Sequence, residues 1–148
     1  LAFVYRYLLQ SSEKALIPLS EELAFIKAYY FLLKTRFDER LLLDIYVGKE
    51  TAQQMIPPLT LQILLENAVK HNVISQENPL RVVISENNGN KIVLSNTLQR
   101  RAQSVVSTQT GLANLAAKYQ LMQQPGPEIF ETPDKFSVQI TLIPNQAS

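Results

Sequence analysis

The stretch Ile56-Pro-Pro-Leu-Thr-Leu-Gln-Ile-Leu-Leu-Glu-Asn-Ala-Val-Lys-His-Asn72 decides how the rest of the chain is read. Pro58 suits the first turn of a helix, where its missing N–H would have no partner, and the apolar residues that follow recur at helical spacing. At roughly 100° per residue, Leu61, Leu64, Leu65, Ala68 and Val69 share one arc, and Glu66, Asn67, Lys70 and His71 share the opposite one. The first arc is a core face. The second collects chemically capable groups: the Asn67 amide oxygen is a hard ligand suited to Mg²⁺, and the Lys70 ammonium, one turn later, suits phosphate oxygens. Ile63 interrupts the polar arc, as on a face that borders an organic ligand. On spacing alone, a solvated amphipathic helix with a Glu66/Lys70 pair is the commoner explanation.

The bulk properties bound the remainder. At 148 residues and 46% hydrophobic, the chain suffices for one core and little more. Fourteen basic against thirteen acidic residues leave a net charge of +1, which gives no electrostatic footprint for direct nucleic-acid binding or an anionic membrane. Without cysteine there is neither a disulfide scaffold nor a thiolate metal site, and a single histidine, His71, rules out a multi-histidine one. No apolar run approaches the roughly 20 residues that span a bilayer, and no signal peptide is visible. The chain opens on Leu1 inside an apolar helical pattern, as expected for a piece of a longer protein.

Taken in order, residues 1–10 put Leu1, Val4, Tyr5, Leu8 and Leu9 on one helical stripe, too short to be stable unpacked. A connector over residues 11–18 leads to a second helix over 20–36, with Ser20 as N-cap, Glu21 and Glu22 complementing the dipole at its start, and Lys34 and Arg36 at its end. Phe25, Tyr29, Tyr30, Phe31 and Phe37 make this region aromatic enough for either a helical partner, such as a second subunit, or a helix sandwiched in its own core. Residues 41–47 alternate as a strand ended by Gly48, and residues 80–85 and 91–95 flank the turn signal Asn87-Asn-Gly-Asn90 as a hairpin. Residues 96–110 have no usable period and read as a lid or disordered segment. A helix over 111–122 burying Leu112, Leu115, Ala116 and Tyr119 precedes a closing hairpin, residues 128–131 and 136–143 around Thr132-Pro-Asp-Lys135.

Residues 56–72 resemble the N-box of sensor histidine kinases in the GHKL ATPase superfamily, most of all the branch written I-P-P-x-x-L-Q-x-L-x-E-N-A-x-K-H, whose partner response regulators often carry LytTR DNA-binding domains. The resemblance implies that Asn67 holds Mg²⁺, that Lys70 and His71 lie along the phosphates of ATP, and that Glu66 helps position or polarise the reacting groups. It also makes residues 1–38 the end of the dimerisation and phosphotransfer region, with the phosphoacceptor histidine upstream, and residues 39–148 the catalytic domain with its ATP lid at about 97–110.

Two glycine motifs flank the lid in such kinases. Where the family writes Asp-x-Gly-x-Gly, with the acid accepting from the adenine amino group, this chain has Asn96-Thr-Leu-Gln99 and neither glycine; an amide oxygen accepts the same bond. Where it writes Gly-x-Gly-Leu-x-Asn opening a helix, this chain keeps Gly111, Leu112 and Asn114 but has Gln109 for the first glycine. The resemblance sets the backbone from Thr108 to Leu112, with Asn114, at the phosphate end, since helix N-termini offer free N–H groups to anions. Arg100 and Arg101 are further phosphate candidates from the lid, though a charged pair in a loop is more often solvated.

The element order predicts an α/β two-layer sandwich, a mixed and mostly antiparallel sheet with helices on one face, preceded by two helices; the resemblance names it a Bergerat-type ATP-binding fold. The implied function is the ATP- and Mg²⁺-binding catalytic part of a sensor histidine kinase, cytoplasmic in a membrane-anchored and dimeric whole, passing phosphate to its own upstream histidine and on to a response regulator. Two alternatives stand beside it. Thr97, Leu98 and Gln109 in place of glycines favour a degenerate dimerising scaffold that binds nucleotide weakly or not at all. A GHKL chaperone, topoisomerase or mismatch-repair ATPase is disfavoured by Ile63, one turn before Asn67, where those hydrolases carry a water-activating glutamate.

Overall fold

The computed structural model describes residues 2–11, 14–99 and 109–146. Helix α1 (Ala2–Ser11) is followed by a two-residue strand β1 (Ile17–Pro18), α2 (Leu19–Phe37), a 3-10 turn (Asp38–Arg40) and β2 (Leu41–Tyr46). A second 3-10 turn (Thr51–Gln53) and β3 (Met55–Ile56) lead into α3 (Thr60–His71), then β4 (Leu80–Asn87), β5 (Lys91–Thr97), α4 (Gln109–Leu121), β6 (Glu128–Glu131) and β7 (Lys135–Thr141).

Five strands form one sheet in the order β2-β4-β5-β7-β6. β2 runs parallel to β4 and every other pair is antiparallel, as the order of elements predicts. Asn88 and Gly89, with φ of 57° and 71°, supply the two left-handed residues that let β4 fold back as β5. Alternation then sorts the faces. Leu80, Val82 and Ile84 of β4, Ile92 and Leu94 of β5, and Val138 and Ile140 of β7 are buried beneath α3 and α4, joined by Leu61, Leu64, Leu65 and Ala68 and by Leu115 and Tyr119. The opposite face mixes polar residues with Leu42, Val83 and Val93; on it Arg81 pairs with Asp44 at 3.0 Å and the Ser95 and Ser137 hydroxyls lie 2.9 Å apart.

The helices depart from the periodicity in three ways, at the α1 stripe, the start of α2 and α4. The α1 stripe is not an inward one: Val4 is buried, but Tyr5 and Leu9 are 67% and 61% exposed, because α1 meets α2 through Val4 and Tyr7. Helix α2 starts at Leu19, not after a Ser20 cap; the Leu19 amide bonds the Gln54 carbonyl at 2.7 Å, and Pro18, extended and paired with Met55, is the cap position. Most of the α2 aromatics lie inside the fold, Phe25 wholly so, leaving Phe31 75% exposed. In α4 the helix begins at Gln109, two residues early, and Ala116 is exposed, while Leu115 and Tyr119 turn fully inward and the Tyr119 hydroxyl reaches the Thr141 carbonyl.

Candidate functional site

Helix α3 begins at Thr60, so Pro58 lies outside its first turn. Leu59 takes a left-handed conformation, φ 67° and ψ 12°, that leucine seldom adopts, and the chain turns there from the buried prolines into the helix. The cap comes from afar. The Glu22 carboxylate of α2, fully buried, accepts from the backbone N–H of Leu59 at 3.0 Å and of Leu61 at 3.2 Å, and from the Tyr7 hydroxyl of α1. A negative charge at a helix start answers both the free amides and the dipole. Burial nonetheless pushes the Glu22 carboxyl above its usual range, against the pull of its hydrogen bonds from Tyr7, Leu59, Leu61 and Thr60. By its spacing Glu22 is a dipole partner of its own helix; in the fold it caps the start of α3 instead, with Leu59 37 residues on.

Glu66 and Asn67 are half-buried and Lys70 is exposed, on the arc away from the core residues of α3, while half-buried His71, seven residues after buried Leu64, lies at the edge of the core face. Glu66 does not pair with Lys70. Its Oε1 accepts from the Tyr29 hydroxyl at 2.9 Å and from the Gln62 amide at 3.2 Å. The simple solvated pair four residues apart is therefore not what holds this face. Ile63 has a plain explanation too: a Cβ added at Gly111 would lie 2.9 Å from its Cγ2, so Ile63 abuts the start of α4. Gly111 thus permits two helix backbones to close, one turn from Asn67.

Asn96, 3% exposed, falls on the helix-covered side of β5 with Ile92 and Leu94, and its amide nitrogen donates to the Thr97 carbonyl at 2.8 Å. Leu112 packs partly on the core and Asn114 is exposed on α4. Thr108, Arg100 and Arg101 lie outside the described residues. Thr97 closes β5, and Gln99 is strapped down: its N–H donates to the Asn72 side chain at 2.7 Å, its carbonyl accepts from Val73 at 2.7 Å, and its amide reaches the carbonyls of Val73 and Asn78 at 2.7 and 2.9 Å. Asn72, 2% exposed, also donates to the Ala68 carbonyl, and so ties the end of α3 to the end of β5. Asn72 closes the stretch that opened the reading, yet nothing in its spacing marked this role.

Among the described residues, no cluster of three or more His, Cys, Asp or Glu side chains is able to hold a metal. A single hard amide oxygen beside a lysine is the donor set that fits Mg²⁺ held chiefly by phosphate and water oxygens, not by a protein cage. A cleft between Phe3, Arg6, Tyr7 and Glu21 opens at α1 and α2, away from Asn67, and carries none of these groups. No helix among the described residues is long and apolar enough to cross a membrane.

Residues 1–41 match the family profile described as histidine kinase. The chain is 37% identical over 71 residues to Sensor protein LytS of Bacillus cereus, an alignment covering 48% of this chain and 12% of that protein, so it spans about an eighth of that relative's length. Its fold is similar to the cytoplasmic segment of histidine kinase QseC, with a TM-score of 0.60 at 15% identity over 88% of this chain and 78% of that one. It is likewise similar to full-length ShkA solved in complex with AMPPNP, with a TM-score of 0.54 at 18% identity over 97% of this chain and 35% of that one. With the fold of histidine-kinase catalytic structures and these relatives, the chain is similar to sensor histidine kinases, among them the LytS branch.

Proposed function

We propose that this chain is the catalytic, nucleotide-binding part of its kinase, gripping Mg²⁺·ATP between α3 and the segment at 97–110 and delivering the γ-phosphate to a histidine other than His71, for relay to a response regulator. The observation that supports the reading is that Asn67, Lys70 and His71 share one side of α3, that Ile63 of the same helix abuts the start of α4, and that Asn96 is buried on the helix-covered side of β5. That ShkA is solved with AMPPNP, a nucleotide analogue, supports the same ligand class here.

In this reading Asn67 offers the metal an amide oxygen, Lys70 and His71 meet phosphate oxygens, the first amides of α4 with Asn114 meet the phosphate end, and Asn96 accepts from adenine. Bound Mg²⁺ supplies charge neutralisation along the phosphates; positioning and electrostatics carry most of such a transfer. The bond from the γ-phosphorus to its bridging oxygen breaks, a bond to an imidazole nitrogen forms, and ADP departs. Glu66 is the group for orienting or polarising the acceptor. The whole belongs to a dimeric, membrane-anchored kinase on the cytoplasmic side.

A thermal-shift titration with Mg²⁺·ADP tests this, because a ligand specific for the folded state raises the melting temperature by mass action, about 2.7 kcal/mol at a hundredfold excess over Kd. Asn67→Ala is expected to lose most of the Mg²⁺-dependent part of that shift. A full shift in the variant removes the metal role, and no shift in either protein favours the scaffold reading that Thr97, Leu98 and Gln109 suggest.

A further inference from the structure

Four rings are stacked across the two helices that precede the sheet. Phe3 and Tyr7 of α1, then Phe25 and Tyr29 of α2, have successive centroid separations of 6.5, 4.3 and 6.0 Å and interplanar angles of 29°, 15° and 11°. Phe25, at the middle, is fully buried, so the ladder is packed in place rather than draped on the surface. Its last rung ends on the reaction helix: the Tyr29 hydroxyl donates to Glu66 Oε1 at 2.9 Å. Desolvation, then the bond to Glu66, push this hydroxyl up to about 12, so Tyr29 remains the donor throughout the neutral range.

Gln62 addresses the same oxygen from one turn earlier on α3. Two donors on one oxygen fix the rotation of a carboxylate and leave Oε2 as the atom for a further partner. One of the donors belongs to α3 itself, but the other belongs to α2. The direction in which Glu66 faces is therefore set partly from outside the sheet domain.

We propose that Tyr29 is a positioning residue for Glu66, holding the N-box carboxylate in its working orientation through this hydrogen bond while making no contact with nucleotide itself. The inference rests on the phosphotransfer reading above and adds a residue that no N-box or lid motif contains.

The test is a double-mutant cycle in the kinase carrying this chain, read by single-turnover transfer of the γ-phosphate and, separately, by the Mg²⁺·ADP thermal shift. Tyr29→Phe keeps the ring in the stack and removes only the hydroxyl. It is expected to slow transfer about ten- to a hundredfold, the range of a small misplacement of a reacting group, with the ADP-induced shift unchanged. In a Glu66→Gln background the same change is expected to slow transfer less than twofold, since two residues acting as one unit are not additive. The inference is overturned if Tyr29→Phe leaves transfer at the wild-type rate, slows it by the same factor in both backgrounds, or abolishes the ADP shift, which marks a merely structural role. Wild-type protein with neither ADP shift nor transfer removes the phosphotransfer reading and the inference together; wild-type transfer with no cycle effect removes the inference alone.

Discussion

Replacing Glu22 by alanine tests whether the start of α3 is built by residues 37 and more positions before it. In the native fold the buried carboxylate takes the Leu59 and Leu61 amides at 3.0 and 3.2 Å and the Tyr7 hydroxyl. Alanine leaves two amides in a closed environment without an acceptor, at about 1–3 kcal/mol each, while the cost of burying a charge is refunded in part. A net loss of about 2–4 kcal/mol follows, or a urea midpoint lower by about 1–2 M for a slope near 2 kcal/mol/M. Tyr7→Phe deletes one neutral donor and keeps the ring stacked on Phe25, so it is expected to cost only about 0.5–1.5 kcal/mol. Equilibrium urea unfolding read by circular dichroism measures both. A Glu22→Ala loss under about 0.5 kcal/mol, or a Tyr7→Phe loss as large as that of Glu22→Ala, refutes the capping argument.

The same carboxyl makes stability depend on pH. Its folded pKa is raised above the ordinary 4.5, so the folded state holds the proton more tightly, and as pH climbs from 4.5 through the folded value this group's contribution to stability falls; Glu22→Gln, compared with wild type by urea titration at pH 4, 5, 6 and 7, should remove that part of the slope. Gly111→Ala gains about 1 kcal/mol of helix propensity but sets a methyl 2.9 Å from Ile63 Cγ2 on a stiff β-branched side chain, so a net loss of about 0–2 kcal/mol is expected, with rescue by Ile63→Ala in thermal melts. Asn72→Ala cuts the tie from the end of α3 to Gln99 and should speed amide exchange at Gln99 and Val73 about tenfold or more, with α4 amides unaffected, when followed by NMR.

What the residues announced and what they hid divides along distance in the chain. The β4–β5 hairpin follows from Asn88 and Gly89 between alternating runs, and the closing hairpin from Thr132-Pro-Asp, because turn chemistry and period-two burial act over a few positions. The polar arc of α3 was equally legible, since a wheel needs only one helix. β1 and β3, two residues each, are too short to show a period, and their pairing of Ile17 with Ile56 is visible only once the fold has closed. Leu59 in a left-handed conformation contradicts its own propensity and moved the helix start from Pro58 to Thr60.

The residues that handle the site's charges are hidden for a related reason. A wheel says which way Glu66 points and cannot say that Tyr29 awaits it; it marks Glu22 as a first-turn acid without revealing that the turn it serves is on another helix. Both contacts start on α2 and end on α3, and α2 buries Glu22, Phe25 and Ile26 over little more than one turn, so its inward face is shared between packing and holding two carboxylates. A rigid shift of α2 against α3 must stretch the cap and the Tyr29 bond together, because Glu22 and Tyr29 belong to the same helix. If Glu22→Ala and Tyr29→Phe are combined, their effects on α3 amide exchange should therefore fall short of additive; strict additivity would mean that the two contacts report on separate motions.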